Sequence, residues 1–123
     1  MRKRGTIVVC GYYAMYMAAS AALAKISYRS KNHTATILAL ETFFVKRQLL
    51  EPDYLKIMEK AKLEKEHLEQ LKLARERREI AQYSVTKGTT KSIAEEIKRD
   101  AYSFVERMEK LMKVLDEFHA EKG

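Results

Sequence analysis

The sequence has few of the residues that form turns and cross-links. Its 123 residues include one Pro, four Gly and one Cys, and they include no Trp. So little Gly and Pro argues against a turn-rich β fold and favours helices. The single cysteine, Cys10, cannot form an internal disulfide or a cysteine metal cluster. We expect it to be a small buried hydrophobic residue.

Most sequence signatures of catalysis are also absent. There is no Gly-rich phosphate loop, no His-Glu-x-x-His motif and no pair of cysteines. The three histidines, His33, His67 and His119, are far apart in the sequence. We therefore predict no metal ion and no cofactor.

Charge is absent from residues 5–24, between Arg4 and Lys25. Such a run suits a signal peptide, a membrane span or a helix buried in a bundle. Six alanines and one leucine give it few of the side chains that favour membrane insertion, and three tyrosines lie in its middle. We favour a buried helix of a soluble, cytoplasmic protein over a membrane-anchored one. The small residues of the run fall on one side of this helix, and the large ones fall on another (Gly11, Ala14, Ala18, Ala21 and Ala22; Tyr12, Met15, Tyr16 and Leu23).

The charge balance is basic. Lys and Arg number 24 against 17 Asp and Glu, which gives a formal net charge of +7. This excess favours polyanions such as RNA, anionic lipid or an acidic partner. The two signs are interspersed, so a solvated helical surface explains the balance equally well.

The remaining pattern predicts one domain, residues 1–123, folded as an all-α antiparallel bundle of about four helices. The helices are expected at residues 6–27, 34–48, 52–83 and from about 92 to 119. Asn32 or Thr34 is the predicted N-cap of the second. Ser92 and Glu95 form a capping box for the fourth, with Thr90 as the alternative cap. The apolar stripe of the fourth helix is unbroken (Ile93, Ile97, Ala101, Phe104, Met108, Leu111, Leu115 and Phe118).

Arg78 interrupts the apolar stripe of the third helix. Leu71, Ala74 and Arg78 follow one another at spacings of three and four, so the arginine falls on the apolar face. A charge near a buried stripe is costly unless it is paired. One interpretation is an arginine whose stem covers the core while its head stays in water. The other is a binding site.

A second group of candidate residues precedes the second helix. His33, beside Lys31, could bind an anion together with the helix N-terminus. A capping or loop role for His33 is the favoured alternative.

Three segments together resemble the HEPN family (higher eukaryotes and prokaryotes nucleotide-binding). They are Tyr-Tyr-Ala-Met-Tyr-Met-Ala-Ala at residues 12–19, Arg-Ser-Lys-Asn-His-Thr at 29–34, and Arg-x-x-Ala-Gln-Tyr at 78–83. The segment Asp-Ala-Tyr-Ser-Phe-Val-Glu-Arg at 100–107 is similar to the closing helix of the family's small prokaryotic members. The resemblance implies an all-α bundle, often a homodimer, and often one partnered with a small nucleotidyltransferase in a toxin–antitoxin-like pair.

The resemblance also implies a site. Active HEPN proteins are metal-independent RNases whose motif is an Arg followed after four to six residues by a His. Arg78 matches the Arg, but Tyr83 occupies the place of the His, so these two are the candidate catalytic residues. Metal-free RNA cleavage needs a group that exchanges protons near neutral pH, which His does and Tyr does not. The sequence therefore favours RNA binding over cleavage and leaves an endoribonuclease activity open. The candidate RNA- or nucleotide-binding residues are Arg75, Arg77, Gln82, Lys31 and His33.

The beginning of the chain departs from the family pattern. Family members usually have another amphipathic helix before the Tyr-Tyr-Ala-Met helix, whereas only residues 1–6 precede that helix here. We expect either a truncated start or a partner that covers the outer side of the first helix, and we predict self-association. Two other functions stay open at this point: a non-catalytic dimeric interaction or adaptor module, and an N-terminally anchored membrane protein.

Overall fold

The computed structural model describes residues 2–76 and 90–122. Within these ranges the chain forms four α-helices and no strand: α1 is Arg2–Ala24, α2 is His33–Leu40, α3 is Asp53–Glu76 and α4 is Lys91–Lys122. A π-helical turn, Glu41–Val45, directly continues α2. The prediction of an all-α bundle is confirmed. The predicted extension of the third helix to residue 83 falls outside the described residues.

Helix α1 begins and ends earlier than predicted. It starts at Arg2 rather than near residue 6, and it ends at Ala24 in a turn that contains Ser27. Ser27 has a left-handed φ of 62°, and the N–H of Tyr28 donates to the carbonyl of Leu23 at 3.0 Å. This pairing is the Schellman motif, which satisfies carbonyls at a helix end.

Helix α2 begins at one of the two caps expected from the sequence. The side-chain oxygen of Asn32 accepts the N–H of Ala35 at 2.8 Å, which confirms Asn32 as the N-cap. The helix was predicted to continue to residue 48, but it changes to π geometry at Glu41. Here Lys46 N–H donates to the carbonyl of Glu41, five residues earlier. The extra residue in this turn accompanies the burial of Phe44 in the core.

Helix α4 is capped by Thr90. Its hydroxyl oxygen accepts the N–H of Ile93 at 3.1 Å, and its carbonyl accepts the N–H of Ala94. The capping box predicted from Ser92 and Glu95 is wrong, because Ser92 already lies inside the helix. The apolar stripe is confirmed from Ile97 to Leu115, whereas Phe118 is exposed.

The long helices lie side by side, and their contacts fix their directions. Lys60 and Tyr54 of α3 contact Glu96 and Phe104 of α4, so α3 and α4 are antiparallel. Gly11 of α1 packs on Ile97 and Lys25 pairs with Asp116 at 2.9 Å. Helices α1 and α4 are therefore parallel, and α3 is antiparallel to both.

Only one face of α1 is buried. Val8, Met15, Ala19 and Leu23 recur at helical spacing and are inaccessible to solvent. Burial of α1 on all sides, the expectation for a helix with no polar face, is therefore not observed within the described chain. Cys10 is exposed, contrary to the prediction, because it lies on the outward side of this helix. The outer side of α1 is therefore uncovered within the described part of the chain.

The apolarity of α1 also meets the criteria for a membrane span. Among the described residues, one helix segment, Arg4–Ala24, is long and apolar enough to cross a membrane, and 39% of its most apolar window is buried in the protein. A core helix and a signal sequence satisfy the same criteria.

Candidate functional site

A buried imidazole joins three helices. His33, the first residue of α2, has its Nδ1 2.8 Å from the hydroxyl oxygen of Tyr12 in α1. Its Nε2 contacts the Oε1 atom of Glu59 in α3. His33 and Tyr12 are both buried, whereas Glu59 is largely exposed. The three side chains form a chain of carboxylate, imidazole and phenol.

The environment of Tyr12 keeps its phenol protonated. Burial, together with the neighbouring Tyr16, Tyr13 and carboxylates, raises the pKa of Tyr12 to about 12. The phenol hydroxyl lies within hydrogen-bond distance of Nδ1 of His33, and the other ring nitrogen contacts Glu59. Every polar atom of the imidazole has a partner in this arrangement.

A lysine covers the outer side of the tyrosines. Lys65 Nζ lies 5.7 Å from the ring centroid of Tyr12 and 5.3 Å from that of Tyr13, which is a cation–π distance. The same amine is 3.1 Å from Glu69 Oε1. Burial acts to lower the pKa of Lys65, but the hydrogen bond and charge of Glu69 outweigh it and raise the pKa. The side chain of Lys65 is only 13% exposed, although it lies in the highly charged middle of α3.

A small polar cleft of about 210 Å³ opens beside His33. It is lined by His33, Thr34, Glu59, Lys62 and Glu66, with Leu63 at one side. Lys62 and Glu66 lie 3.9 Å apart across it. No group of three or more metal-ligating side chains occurs among the described residues. Chemically, the Tyr12–His33–Glu59 network serves to position helices, since the phenol at its end is buried and stays protonated near neutral pH.

The two binding residues predicted just before the second helix, Lys31 and His33, differ in their exposure to solvent. Lys31 is exposed, and it precedes the N-cap of α2. His33 is buried, with both ring nitrogens in contact with protein atoms, so this conformation offers no free nitrogen to an anion. His33 is neither the N-cap nor a loop residue, because Asn32 is the N-cap and His33 is the first residue of α2.

Most of the arginine-rich candidate site lies beyond the described residues. Arg75 belongs to the last turn of α3, whereas Arg77, Arg78, Gln82 and Tyr83 fall outside the described ranges. Along α3, Arg75 is 16 residues from Glu59. At 1.5 Å per residue this is about 24 Å, so the structure does not bring Arg75 to His33.

Three helix ends meet near Arg75. A Cβ atom on Gly5 of α1 would lie 3.9 Å from Cδ1 of Leu68 in α3, and Gly11 packs on Ile97 of α4. The start of α1, the end of α3 and the start of α4 therefore share one end of the bundle. We call residues 2–6, 68–76 and 90–100 the basic end. Basic residues of its described part are distributed over all three helices (Arg2, Lys3, Arg4, Lys72, Arg75, Lys91, Lys98 and Arg99).

The described part of the basic end has an excess of positive charge. Its residues include eight of the 24 Lys and Arg residues but five of the 17 Asp and Glu residues. Two of those carboxylates, Glu69 and Glu96, pair with Lys65 and Lys60 from the middle of α3. Two helix N-termini, those of α1 and α4, add partial positive charge.

Sequence reasoning missed the partners of His33. Tyr12 was assigned only a bulky core position, and Glu59 and Lys65 were not singled out. Glu59 lies among other charged residues of α3, and such a pattern is equally typical of a solvent-exposed helix face. The sequence around Glu59 therefore does not indicate a buried partner. A buried position next to a histidine can be found only once the packing of α1 against α3 is known.

No protein-family model, no curated protein and no solved structure matches this chain.

Proposed function

We propose that this chain is a HEPN-like cytoplasmic protein that binds RNA, or a nucleotide-bearing partner, at the basic end of its bundle. The observation that carries the proposal is the meeting of three basic helix ends there. The Arg-Lys-Arg start of α1 adjoins the helix that leads into the arginine-rich segment at residues 75–83.

The chemistry of this end suits a polyanion. Clustered Lys and Arg side chains attract a phosphate backbone and release its counterions. Arg can hold a phosphate in bidentate fashion, and helix N-termini favour anions. The carboxylates at this end are fewer, and two are neutralised by lysines. The resemblance of residues 78–83 to the HEPN motif supports the same location.

The residues of the site support RNA binding without efficient RNA cleavage. No His occurs within six residues after Arg75, Arg77 or Arg78. The one buried histidine among the described residues, His33, contacts Glu59, which is about 24 Å along α3 from Arg75. A residual endoribonuclease activity would need Tyr83 to replace the histidine.

The resemblance to the HEPN family also suggests which proteins this chain binds. We propose that the chain forms a homodimer and is paired with a small nucleotidyltransferase in a toxin–antitoxin-like system. The apolar outer side of α1 supports self-association, because so large an exposed apolar area is typical of an interface.

The proposal is tested by binding of a labelled single-stranded RNA to the full-length chain in a salt titration. Two variants target the site: Arg78→Ala, and Lys3→Glu with Arg4→Glu. Both are expected to weaken binding and to flatten its salt dependence, by about one unit of slope for each lost phosphate contact. RNA cleavage is measured in the same samples without added metal.

The control reverses equal charge at the other end of α4. Lys110→Glu with Lys113→Glu alters the net charge as much as the double variant in α1 does. Equal loss in both double variants would indicate general attraction and would overturn the basic end as the site. Unchanged binding in Arg78→Ala would remove the arginine-rich segment from the site.

A second candidate function is a non-catalytic interaction or adaptor module. The exposed apolar face of α1 favours it. In that case Arg78 is a structural residue, so Arg78→Ala lowers stability or dimerisation. RNA then fails to bind to the wild-type chain at physiological salt.

A further inference from the structure

The outward side of α1 continues into the neighbouring side of α4. We call Cys10, Ala14, Met17, Tyr102 and Val105 the α1–α4 face. Met17 is 69% exposed and Tyr102 is 71% exposed. The α1 part of this face contains no charge over about 30 Å, the length of 20 helical residues.

The α1–α4 face contains a hollow as well as protrusions. A groove of about 350 Å³ runs between the two helices, and small residues form its floor: Gly11, Ala14 and Ala101. Tyr102 lines one side of the groove, and Met17 is an exposed side chain of the same α1–α4 face. A single surface thus carries both the apolar side chains that could fill a groove and a groove that could receive them.

We propose that the α1–α4 face is the contact surface with a second copy of this chain, related to the first by a two-fold axis. The proposal specifies the interface of the homodimer in the proposed function. A two-fold contact places the same patch of each copy against the other, so the patch must be complementary to itself. The α1–α4 face meets this requirement because Met17 and Tyr102 of one copy can enter the partner's groove.

Charges at the edge of the face agree with the same symmetry. Lys98 and Glu109 lie on the same side of α4 as Tyr102, at offsets of four and seven residues. Neither forms an ion pair with another described residue. A two-fold axis that passes beside α4, perpendicular to it and at the level of residues 103–104, makes the two α4 helices antiparallel there. Lys98 of each copy then lies opposite Glu109 of the other.

The size of the face is adequate for a stable dimer. Two helices about 10 Å wide and 30 Å long offer a footprint on the order of 600 Å². Specific interfaces bury about 800 Å² of accessible surface on each partner. Accessible area exceeds a flat footprint, so the two values are of the same order.

The first experiment measures the mass of the full-length chain in detergent-free solution by light scattering and sedimentation. The wild type is expected to be a dimer. Met17→Glu is expected to weaken dimerisation by tenfold or more, since it places a charge at the centre of the apolar contact. The matched control is Leu63→Glu on α3, at a side chain that is 67% exposed. Helix content by circular dichroism verifies that each variant is folded.

A charge exchange tests whether the partner at the α1–α4 face is a second copy of this chain. Lys98→Glu is expected to weaken the dimer, and Lys98→Glu combined with Glu109→Lys is expected to restore it. Only a two-fold contact between identical chains predicts this rescue. A monomeric wild type, a dimer that Leu63→Glu dissociates instead, or a chain that sediments with lipid vesicles would overturn the proposal.

RNA binding and dimerisation of two variants, Met17→Glu and Lys3→Glu with Arg4→Glu, separate this proposal from the proposed function. A monomeric Met17→Glu that still binds RNA leaves the basic end intact as a site. A dimeric Lys3→Glu with Arg4→Glu variant that loses RNA leaves the α1–α4 face intact as an interface. A wild type that dimerises as described but binds no RNA contradicts the proposed function alone.

Discussion

The hydroxyl oxygen of Tyr12 lies 2.8 Å from Nδ1 of His33, across 21 residues of sequence. Because Glu59 contacts the other ring nitrogen, this pair ties α1 to α2 and, through α2, to α3. The pair explains why a histidine is buried in a bundle whose described core contains one other polar residue, Thr36. It also makes the fold sensitive to one oxygen atom.

Tyr12→Phe removes that oxygen without changing the shape of the ring. Nδ1 of His33 is then a buried polar atom without its hydrogen-bond partner, which costs about 1–3 kcal/mol. We expect the free energy of unfolding, measured by urea denaturation, to fall by this amount. The control is Tyr16→Phe on the same helix, whose hydroxyl forms no hydrogen bond with another described residue. An equal loss in both variants would contradict a specific role for the Tyr12–His33 pair.

Alkaline pH is expected to act through Tyr12. Its pKa is raised from 10.0 to about 12 on folding, so the folded chain binds this proton more tightly than the unfolded chain does. The stabilisation is complete below pH 10 and disappears as the pH rises from 10 to 12. In an ultraviolet titration, one of the seven tyrosines is expected to ionise near pH 12. Tyr12→Phe should remove that component and flatten the decline of stability above pH 10.

Helix number and the apolar face of α4 were predictable from sequence, because both depend on local periodicity. The spacing from Ile97 to Leu115 places every third or fourth residue on one side, whatever the neighbours are. The N-cap at Asn32 was predictable for the same reason. It depends on a side chain and a backbone N–H three residues apart.

Other features depend on neighbours that are distant in sequence. The exposure of Cys10 follows from which side of α1 faces α3 and α4, and α1 has no polar side to reveal it. The burial of Lys65 depends on the rings of Tyr12 and Tyr13. The candidate site divides in the same way. Arg75 and Lys31 were found as charges, whereas the pairing of His33 with Tyr12 and Glu59 requires three helices to be placed together.

Gln48 offers a stabilising substitution. It has a left-handed φ of 62° in the turn after the π-helical segment, where the N–H of Leu49 donates to the carbonyl of Phe44. A residue with a Cβ pays about 1–2 kcal/mol for this conformation, and Gly does not. Allowing for the greater freedom of Gly in the unfolded chain, Gln48→Gly is expected to stabilise the fold by about 0.5–1 kcal/mol. Thermal unfolding measures the gain, and Gln48→Ala, which keeps the Cβ, serves as the control.

Gly11 permits the close approach of α1 and α4. A Cβ atom there would lie 3.0 Å from Cγ2 of Ile97 and 3.6 Å from Cβ of Ala101. In Gly11→Ala, the crowding opposes the gain in helix propensity of about 1 kcal/mol, so we expect a small net change. Gly11→Val adds two further methyl groups and is expected to destabilise the fold by about 1–3 kcal/mol through overpacking. Urea denaturation of both variants checks this order, and Gly11→Val combined with Ile97→Ala should recover part of the loss. If Gly11→Val unfolds at the wild-type urea concentration, α1 and α4 are not packed as closely as described.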